Sequence, residues 1–357
     1  MSARLLQARY LPLFILLSFG GALGQSGCAA VPTELAFPAA SPAEISDEIE
    51  FEQEAALERL RSQDARVATI AFRLLSANTE LCPKADWLTG MVMHSSSQFG
   101  PEVRPVAVRL YGLGDTPSIQ VVAPGSPADI AGMLADDQLI AVNGKTFAAI
   151  TPAQSSAGNY ASIDAAWALI TSEIRDGEAL TFDIHRKGKA LTLQLQPRLG
   201  CGYGFSLLTD DEFNAWADGK TAFVTTSITR YAQTEDELAT IMAHELAHNI
   251  LGHQDRISKS GPAGALLGNM GTQRSSLVAL EKEADYLGLY LMARAGFDIN
   301  KAGSFWRQFG ADFPRSRYAG WSHPGSRERA INMISTAAEI ERKRASGDPI
   351  LPERRSN

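Results

Sequence analysis

The 357-residue sequence has few cysteines, no run of basic residues and no internal repeat. Lys and Arg total 33 against 40 Asp and Glu, which gives a net charge of −7. An acidic chain without a basic run argues against nucleic acid as the main partner. The absence of repeats and of heptads excludes solenoids and coiled coils. With 45% hydrophobic residues, the chain is long enough for about two domains with buried cores.

Long apolar runs are scarce as well, and the one at residues 10–24 is short and broken by glycine. With two arginines before it, this run predicts a signal peptide over residues 1–27. The segment QSGCAA resembles a bacterial lipobox, in which Cys28 would carry a lipid and anchor the protein to the outer membrane. The alternative is cleavage after ALG (22–24), which would give a soluble secreted protein. The expected location is the bacterial periplasm, with the protein anchored to the outer membrane.

The chain has three cysteines. If Cys28 is lipidated, Cys82 and Cys201 remain, and an exported protein lies in a compartment that permits disulfides. These two cysteines flank residues 104–198. An insertion whose ends lie close together suits a bridge at its base, so we expect a Cys82–Cys201 disulfide.

Composition and periodicity divide the rest of the chain into five parts. They are an Ala/Pro-rich linker (28–43), a helical segment (44–103), a β-rich segment (104–198), a second, mainly helical segment (199–340) and a tail (341–357).

Residues 104–198 contain the ordered motifs YGLG, PGSPADIAG and LIAVNG. In this order they resemble the PDZ domain of bacterial periplasmic proteases. The resemblance implies that the loop Gly112, Leu113 and Gly114 receives the carboxylate of a peptide terminus, and that the next strand pairs with the peptide. The alternative is a PDZ fold that serves only as a spacer.

The segment AHELAHNILGH (243–253) places three of the six histidines within eleven positions. His244 and His248 are four residues apart, so on a helix both imidazoles lie on one face and can share one metal ion. Glu245 lies beside them and can take a proton from a metal-bound water, as in zinc proteases. His253 has the wrong spacing for a third histidine ligand, and we interpret it as structural.

A second amphipathic helix is predicted over residues 275–297. It places Glu281 and Asp285 one turn apart on a common face. One carboxylate can bind the metal while the other orients a ligand histidine. The alternative for Glu281 is a solvated charge on the helix surface.

The His-Glu-x-x-His motif followed by Glu-x-x-x-Asp resembles peptidase family M48, the gluzincin group of HtpX and the CAAX prenyl proteases. The motifs NAWADG, ARAGFD and SHPGSRERA add to this resemblance. It implies a mainly helical zincin-type domain with a small edge sheet, in the periplasmic branch of the family. It also implies that His244, His248 and Glu281 bind one Zn²⁺, that Glu245 is the catalytic base and that Asp285 supports a ligand.

The same resemblance places His323 near the metal, as a stabiliser of the transition state or as a removable fourth ligand. The alternative is a loop histidine packed beside Trp321. Arg327 is a candidate assistant of His323. Residues 221–227 read as a strand that would hold the substrate backbone by edge pairing, as in related metallopeptidases.

Together these features predict an α+β protein with an inserted β-rich PDZ domain. The expected function is a zinc endopeptidase that cleaves unfolded or misassembled envelope proteins, with peptide termini bound at the PDZ domain. The alternative is a chaperone-like adaptor in which the zinc is structural and the PDZ domain binds partners. Glu245 favours the enzyme, because a structural zinc site needs no general base.

Overall fold

The computed structural model describes residues 38–153, 157–259, 271–317 and 324–353. Their α-helices are, in chain order, α1 (Pro42–Ala77), α2 (Arg104–Tyr111), α3 (Pro127–Ile130), α4 (Ala161–Glu173), α5 (Thr226–Tyr231), α6 (Glu235–Ile250), α7 (His253–Lys259), α8 (Gly271–Arg294), α9 (Asn300–Asp312) and α10 (Ser326–Ser346). Their strands are β1 (Ala85–Leu88), β2 (Met91–His94), β3 (Ser118–Val122), β4 (Gln138–Val142), β5 (Lys145–Thr146), β6 (Leu180–Arg186), β7 (Lys189–Leu195), β8 (Arg198–Cys201), β9 (Gly204–Leu208), β10 (Ala215–Ala217) and β11 (Thr221–Thr225). Within the described ranges, no helix combines the length and the apolar composition that a membrane span requires.

These elements form an α+β fold with two main cores, which confirms the expected fold class. The larger core belongs to a helical domain that consists of α1, β9–β11 and α5–α10. The smaller core belongs to a sheet domain (residues 91–195). In sequence, this domain lies between α1 and the other elements of the helical domain. The helix α4 covers one face of the sheet domain and buries Trp167 there.

The sheet domain has antiparallel strands in the order β2-β3-β4-β6-β7, with β5 paired to β4. The turns Asn143-Gly144 and Lys187-Gly188 join β4 to β5 and β6 to β7, and all four residues have positive φ. Such turns match the right-handed twist of the strands, and Gly and Asn tolerate this backbone best. The Asn-Gly and Lys-Gly dipeptides thus mark the two hairpin turns of the sheet domain.

The sheet begins earlier than the sequence indicates. Strand β2 lies within residues 44–103, which the sequence assigns to the helical part, but it pairs with β3 through Met91↔Val122 and Val92↔Val121. All four residues of β2 are buried. A buried strand this short has no alternation of polar and apolar residues, so periodicity cannot separate it from a buried helix.

The segment Gly112–Leu113–Gly114 does not form the expected carboxylate-binding loop. Gly112 has a φ of 63° and caps the C-terminus of α2, and the amides of Gly112 and Leu113 both donate to the carbonyl of Val108. The next strand, β3, lies between β2 and β4, so neither edge is open to a peptide. The glycines here end a helix by the left-handed C-cap that glycine favours.

The sheet domain is joined to the helical domain at a two-stranded stem. Strands β1 and β8 pair antiparallel from Ala85↔Cys201 to Leu88↔Arg198. At this stem Cys82 and Cys201 form the disulfide that the sequence predicts, with Cα atoms 5.5 Å apart and 119 residues between them in sequence. In the disputed entropic model, closing a loop this long stabilises the fold by roughly 4 to 5 kcal/mol.

The sheet domain also packs directly against α1. Arg61 lies 2.7 Å from Asp136 and donates to the carbonyl of Gln120, while the side chain of Gln120 donates to the buried Asp64 at 2.7 Å. A buried carboxylate is retained only where it is hydrogen-bonded. These contacts fix the position of the sheet domain relative to the helix that leads into the larger core.

The helical domain contains a three-stranded sheet in the order β10-β11-β9. The sequence assigns the substrate edge to residues 221–227, but β11 ends at Thr225 and is paired on both sides, antiparallel to β10 and parallel to β9. Its position is therefore central, and the prediction of edge pairing by this strand is wrong. Strand order depends on contacts between distant segments, which a β-branched run does not reveal.

Candidate metal centre

Helix α6 carries the histidine motif, and its ends follow from local sequence. Thr234 caps the N-terminus, accepting from the amide of Glu237, while the side chain of Glu237 bonds back to the amide of Thr234. This capping box satisfies amides that have no partner within the helix. The helix ends at Ile250, and Gly252 follows with a φ of 63°. The motif therefore lies inside a regular helix, as its spacing requires.

Helix α8 packs closely against α6 because of a glycine. A Cβ built on Gly288 would lie 3.1 Å from the backbone nitrogen of His244 and 3.2 Å from the carbonyl carbon of Ala243. A side chain at this position would therefore require the facing backbone of α6 to shift by a few tenths of an ångström. Gly288 lies one turn from Asp285 on α8, so this close approach brings Asp285 and Glu281 to the histidines.

Three donor groups converge between α6 and α8. The Nε2 atoms of His244 and His248 are 3.1 Å apart. Glu281 lies 3.3 Å from His244 Nε2 and 3.4 Å from His248 Nε2 through its two carboxylate oxygens. Among the described residues, these three side chains form a cluster that could hold a metal ion.

The spacing of these atoms fits zinc. With zinc–ligand bonds of about 2.0–2.1 Å at tetrahedral angles, ligand atoms lie about 3.3 Å apart. The observed separations of 3.1, 3.3 and 3.4 Å agree with this value. Two imidazoles and one carboxylate leave a fourth position open, as in catalytic rather than structural zinc sites.

Glu245 follows His244 on α6 and is 8% exposed. Burial raises the pKa of its carboxyl group to about 7, while the charge of His244 opposes the shift and that of Glu281 adds to it. A carboxyl group with a pKa near neutrality can accept a proton and release it again in the same reaction. The position and the environment of Glu245 both suit a general base.

A buried carboxylate holds His244 on the side away from Glu281. His244 Nδ1 lies 2.8 Å from Asp285 Oδ1, and Arg329 donates two hydrogen bonds to the Asp285 carboxylate. Burial alone would raise the pKa of Asp285, but the charges of Arg329 and His244 hold it well below its usual range. Arg329 in turn lies 3.6 Å from the centre of the Trp306 ring. We name His244, Asp285 and Arg329 the inner arm.

Arg329 Nη2 also lies 3.1 Å from His244 Nδ1. When Nε2 of His244 faces a metal ion, Nδ1 carries the proton, and an arginine nitrogen can only donate. Two donors cannot bond to each other, so Asp285 accepts from both and holds them together.

His248 is held by a different set of residues. His248 Nδ1 lies 2.9 Å from Nδ1 of His253, and His253 Nε2 lies 3.2 Å from Glu283. Arg256 of α7 bonds to the same carboxylate oxygen at 2.9 Å. We name His248, His253, Glu283 and Arg256 the outer arm.

The sequence does not single out three of these residues, Arg329, Glu283 and Arg256. In the motif SHPGSRERA the residue singled out is Arg327, which is exposed, whereas Arg329 is buried against Asp285. His253 is interpreted as structural; its side chain lies outside the cluster of candidate metal ligands but contacts one of them, His248. His323 and Cys28 lie outside the described residues.

Comparison with known proteins agrees with both resemblances. Residues 180–261 match the model of Peptidase family M48, and residues 118–155 match that of a PDZ domain. The chain is 28% identical over 151 residues to the mitochondrial metalloendopeptidase OMA1 of Schizosaccharomyces pombe. The matched region covers 36% of this chain and 45% of that protein. It is 28% identical over 125 residues to the beta-barrel assembly-enhancing protease of Escherichia coli, over 27% of this chain and 26% of that protein.

Among solved structures, the HtrA3 PDZ domain with a phage-derived ligand is 18% identical and has a TM-score of 0.22. The match covers 33% of this chain and 91% of that one. The chain spans less than half the length of the two curated relatives described above.

Proposed function

We propose that this chain, which carries a peptidase M48 domain and a PDZ domain, is a zinc-dependent endopeptidase. The observation that carries the proposal is the convergence of His244, His248 and Glu281 on one point, with Glu245 buried next to His244. The names of the matched relatives, a metalloendopeptidase and a protease, support the same reaction.

In this proposal His244, His248 and Glu281 hold one zinc ion. When bound, zinc supplies Lewis acidity for the scissile carbonyl and lowers the pKa of water at the open position. The Glu245 carboxylate takes up the proton of the attacking water and passes it to the nitrogen of the leaving amine. Asp285 keeps the proton on Nδ1 of His244, so that the Nε2 lone pair faces the ion.

Strand β10 replaces β11 as the proposed substrate edge. The amide of Thr225 donates to the carbonyl of Asn214, and the amide of Asp218 donates to the carbonyl of Thr221. In the register of β10 and β11, the hydrogen-bonded pairs therefore fall at every second residue, starting from Asn214. In an antiparallel ladder the intervening residues direct their N–H and C=O groups to the other side. Ala215 and Ala217 would therefore bind an extended substrate segment.

The position of β10 supports this assignment. It packs against α6, and the hairpin that follows it is tied to the same helix by Asn249, which accepts from the amide of Gly219 at 2.7 Å. In the part of the chain that the structure describes, β10 has no strand on its other side. A substrate paired there would run beside the metal helix.

We expect unfolded or misassembled envelope proteins as substrates. The name of one matched relative, the beta-barrel assembly-enhancing protease of Escherichia coli, supports a role of this kind. The Cys82–Cys201 disulfide fits an oxidising compartment such as the periplasm. The PDZ domain would recruit peptide segments or regulate their access, and a lipid on Cys28 would hold the enzyme at the outer membrane.

The test compares cleavage of casein, an unfolded protein, by the zinc-loaded wild type and by Glu245→Gln. We expect the variant to bind zinc normally and to lose at least about 100-fold of its activity, because general-base catalysis contributes this much or more. Glu235→Gln makes the same chemical change in the exposed first turn of α6 and should cleave like the wild type. Equal cleavage by the wild type and Glu245→Gln would refute Glu245 as the base. Zinc binding without any cleavage by the wild type would favour the adaptor.

A further inference from the structure

His253 is buried to 1% exposure between two polar side chains. Its Nδ1 atom lies 2.9 Å from Nδ1 of His248, and its Nε2 atom lies 3.2 Å from Oε2 of Glu283. Both ring nitrogens are therefore used, and neither faces the point where His244, His248 and Glu281 converge. His253 cannot be a ligand in this conformation, but it contacts one.

The contacts fix where the protons lie. If the lone pair on His248 Nε2 faces a metal ion, the proton of this neutral ring is on Nδ1. His248 then donates to His253 Nδ1, which must carry a lone pair. The proton of His253 is consequently on Nε2, where the carboxylate of Glu283 accepts it. Every donor along this path meets an acceptor, so the hydrogen bonds are consistent with the metal-binding tautomer of His248.

The chain reaches this arrangement through a sharp turn between two helices. Gly252 adopts left-handed backbone, with a φ of 63°, between the end of α6 and the start of α7. The turn places His253 beside the ring of His248, five residues earlier. Arg256, one turn along α7, bonds to Glu283 of α8 at 2.9 Å and fixes the far end of the path.

We propose that His253 is a positioning residue, which holds His248 in the tautomer and the orientation that bind zinc, with Glu283 holding His253 in turn. This inference rests on the proposed zinc site. Metal-binding histidines usually donate their second N–H to a carboxylate or a carbonyl. Here the acceptor is the neutral ring of His253, which in turn donates a hydrogen bond to the carboxylate of Glu283.

Substitutions at His253 can separate the hydrogen bond from packing. An Asn side chain places its carbonyl oxygen near the position of His253 Nδ1, so His253→Asn keeps an acceptor for His248. A Gln side chain reaches the position of Nε2, so His253→Gln keeps a polar contact with Glu283 but leaves His248 without its acceptor. His253→Leu removes both contacts.

The measurement is the zinc dissociation constant of the full chain, obtained by competition with a chromogenic chelator. We expect His253→Gln and His253→Leu to bind zinc about 10- to 100-fold more weakly than the wild type. His253→Asn should stay within about threefold, since it retains an acceptor for the Nδ1 proton of His248. His185→Leu, which removes an exposed histidine from β6, controls for adventitious zinc and should bind as the wild type does.

The outcomes are distinct. Wild-type affinity in both His253→Gln and His253→Leu would overturn the positioning role. Equal weakening in His253→Asn and His253→Gln would also overturn it, since packing and not the acceptor would then matter. Thermal unfolding of the zinc-free variants identifies any that fails to fold, and the Asn and Gln pair alone still decides the question. Failure of the wild type to bind zinc would refute the metal site itself, and the positioning role with it.

Discussion

The inner and outer arms perform the same task in different surroundings. Each begins at a proposed ligand histidine, contains an acceptor for the proton on its Nδ1 and ends at an arginine. In the inner arm the side chains of Asp285 and Arg329 are 3% and 6% exposed. In the outer arm the side chains of Glu283 and Arg256 are 45% and 52% exposed. The charged end of the inner arm is thus buried, whereas the charged end of the outer arm is exposed to water.

This difference predicts which arm the protein depends on. Charges inside a protein interact more strongly than charges in water, and an unpaired buried charge is costly. Exposed ion pairs contribute little, because water and salt screen them. We therefore expect the inner arm to stabilise both the fold and the metal site, and the outer arm to act mainly through the buried His253.

The largest effect is expected for Asp285→Asn. The amide oxygen can still accept from His244, but Arg329 loses its buried counter-charge. Removing one member of a buried ion pair costs about 3 to 5 kcal/mol. Urea unfolding of the zinc-free protein at pH 7 should show a loss of this size, and chelator competition should show weaker zinc binding. An unchanged unfolding curve would contradict the importance of the buried pair.

The pH dependence provides an internal check on Asp285→Asn. The folded-state pKa of Asp285 is lowered, so its stabilising effect is present above the unfolded-state pKa near 3.9 and is lost as the pH falls further. Below about pH 5, where His244, with its pKa raised to about 9, stays protonated, the difference in unfolding free energy between the wild type and Asp285→Asn should therefore shrink as Asp285 becomes protonated. A difference that grows as the pH falls from 5 to 3 would refute this assignment.

A smaller effect is expected for Arg329→Met. Arg329→Met also leaves the buried carboxylate of Asp285 without its arginine, but Asp285 keeps its hydrogen bond to His244 and methionine can still pack against Trp306, so we expect a loss of about 2 to 3 kcal/mol, below that of Asp285→Asn. The matched variant Arg256→Met removes an arginine from the outer arm and should change the free energy of unfolding by less than about 0.5 kcal/mol. Equal losses in the two variants, measured by urea unfolding, would contradict the difference between the arms.

The parts of the site that the sequence predicts are those set by helical geometry. The four-residue spacings of His244 and His248 and of Glu281 and Asp285 place each pair on one face of a helix. The capping box at Thr234 fixes where the first of these helices begins. All of these signals are contained in segments of about one turn, so they do not depend on how the rest of the chain folds.

The remaining parts depend on contacts between distant segments. Arg329 meets Asp285 across 44 residues because α10 crosses α8, and nothing in SHPGSRERA distinguishes it from Arg327. The spacing of His253 rules it out as a regular third ligand, but its contact with His248 depends on the turn at Gly252. Likewise, the strand order that leaves β10 at the edge results from pairing between separate segments.

The smallest effect is expected for Glu283→Gln, which makes in the outer arm the same carboxylate-to-amide change that Asp285→Asn makes in the inner arm. The amide oxygen still accepts from Nε2 of His253, and the lost ion pair with Arg256 is exposed to water. We expect zinc affinity within about threefold of the wild type and an unfolding free energy within about 0.5 kcal/mol. The measurements are again chelator competition and urea unfolding, each at low and at high salt.

The two substitutions are comparable, because each removes a single negative charge next to an arginine in an arm that begins at a proposed ligand histidine. If Glu283→Gln weakens zinc binding as much as Asp285→Asn does, the charge of each arm matters and its burial does not. If its effect is small while His253→Gln has a large one, the outer arm works through the neutral hydrogen bond between the two histidines. Glu283 then serves to orient His253, a task for which an amide suffices.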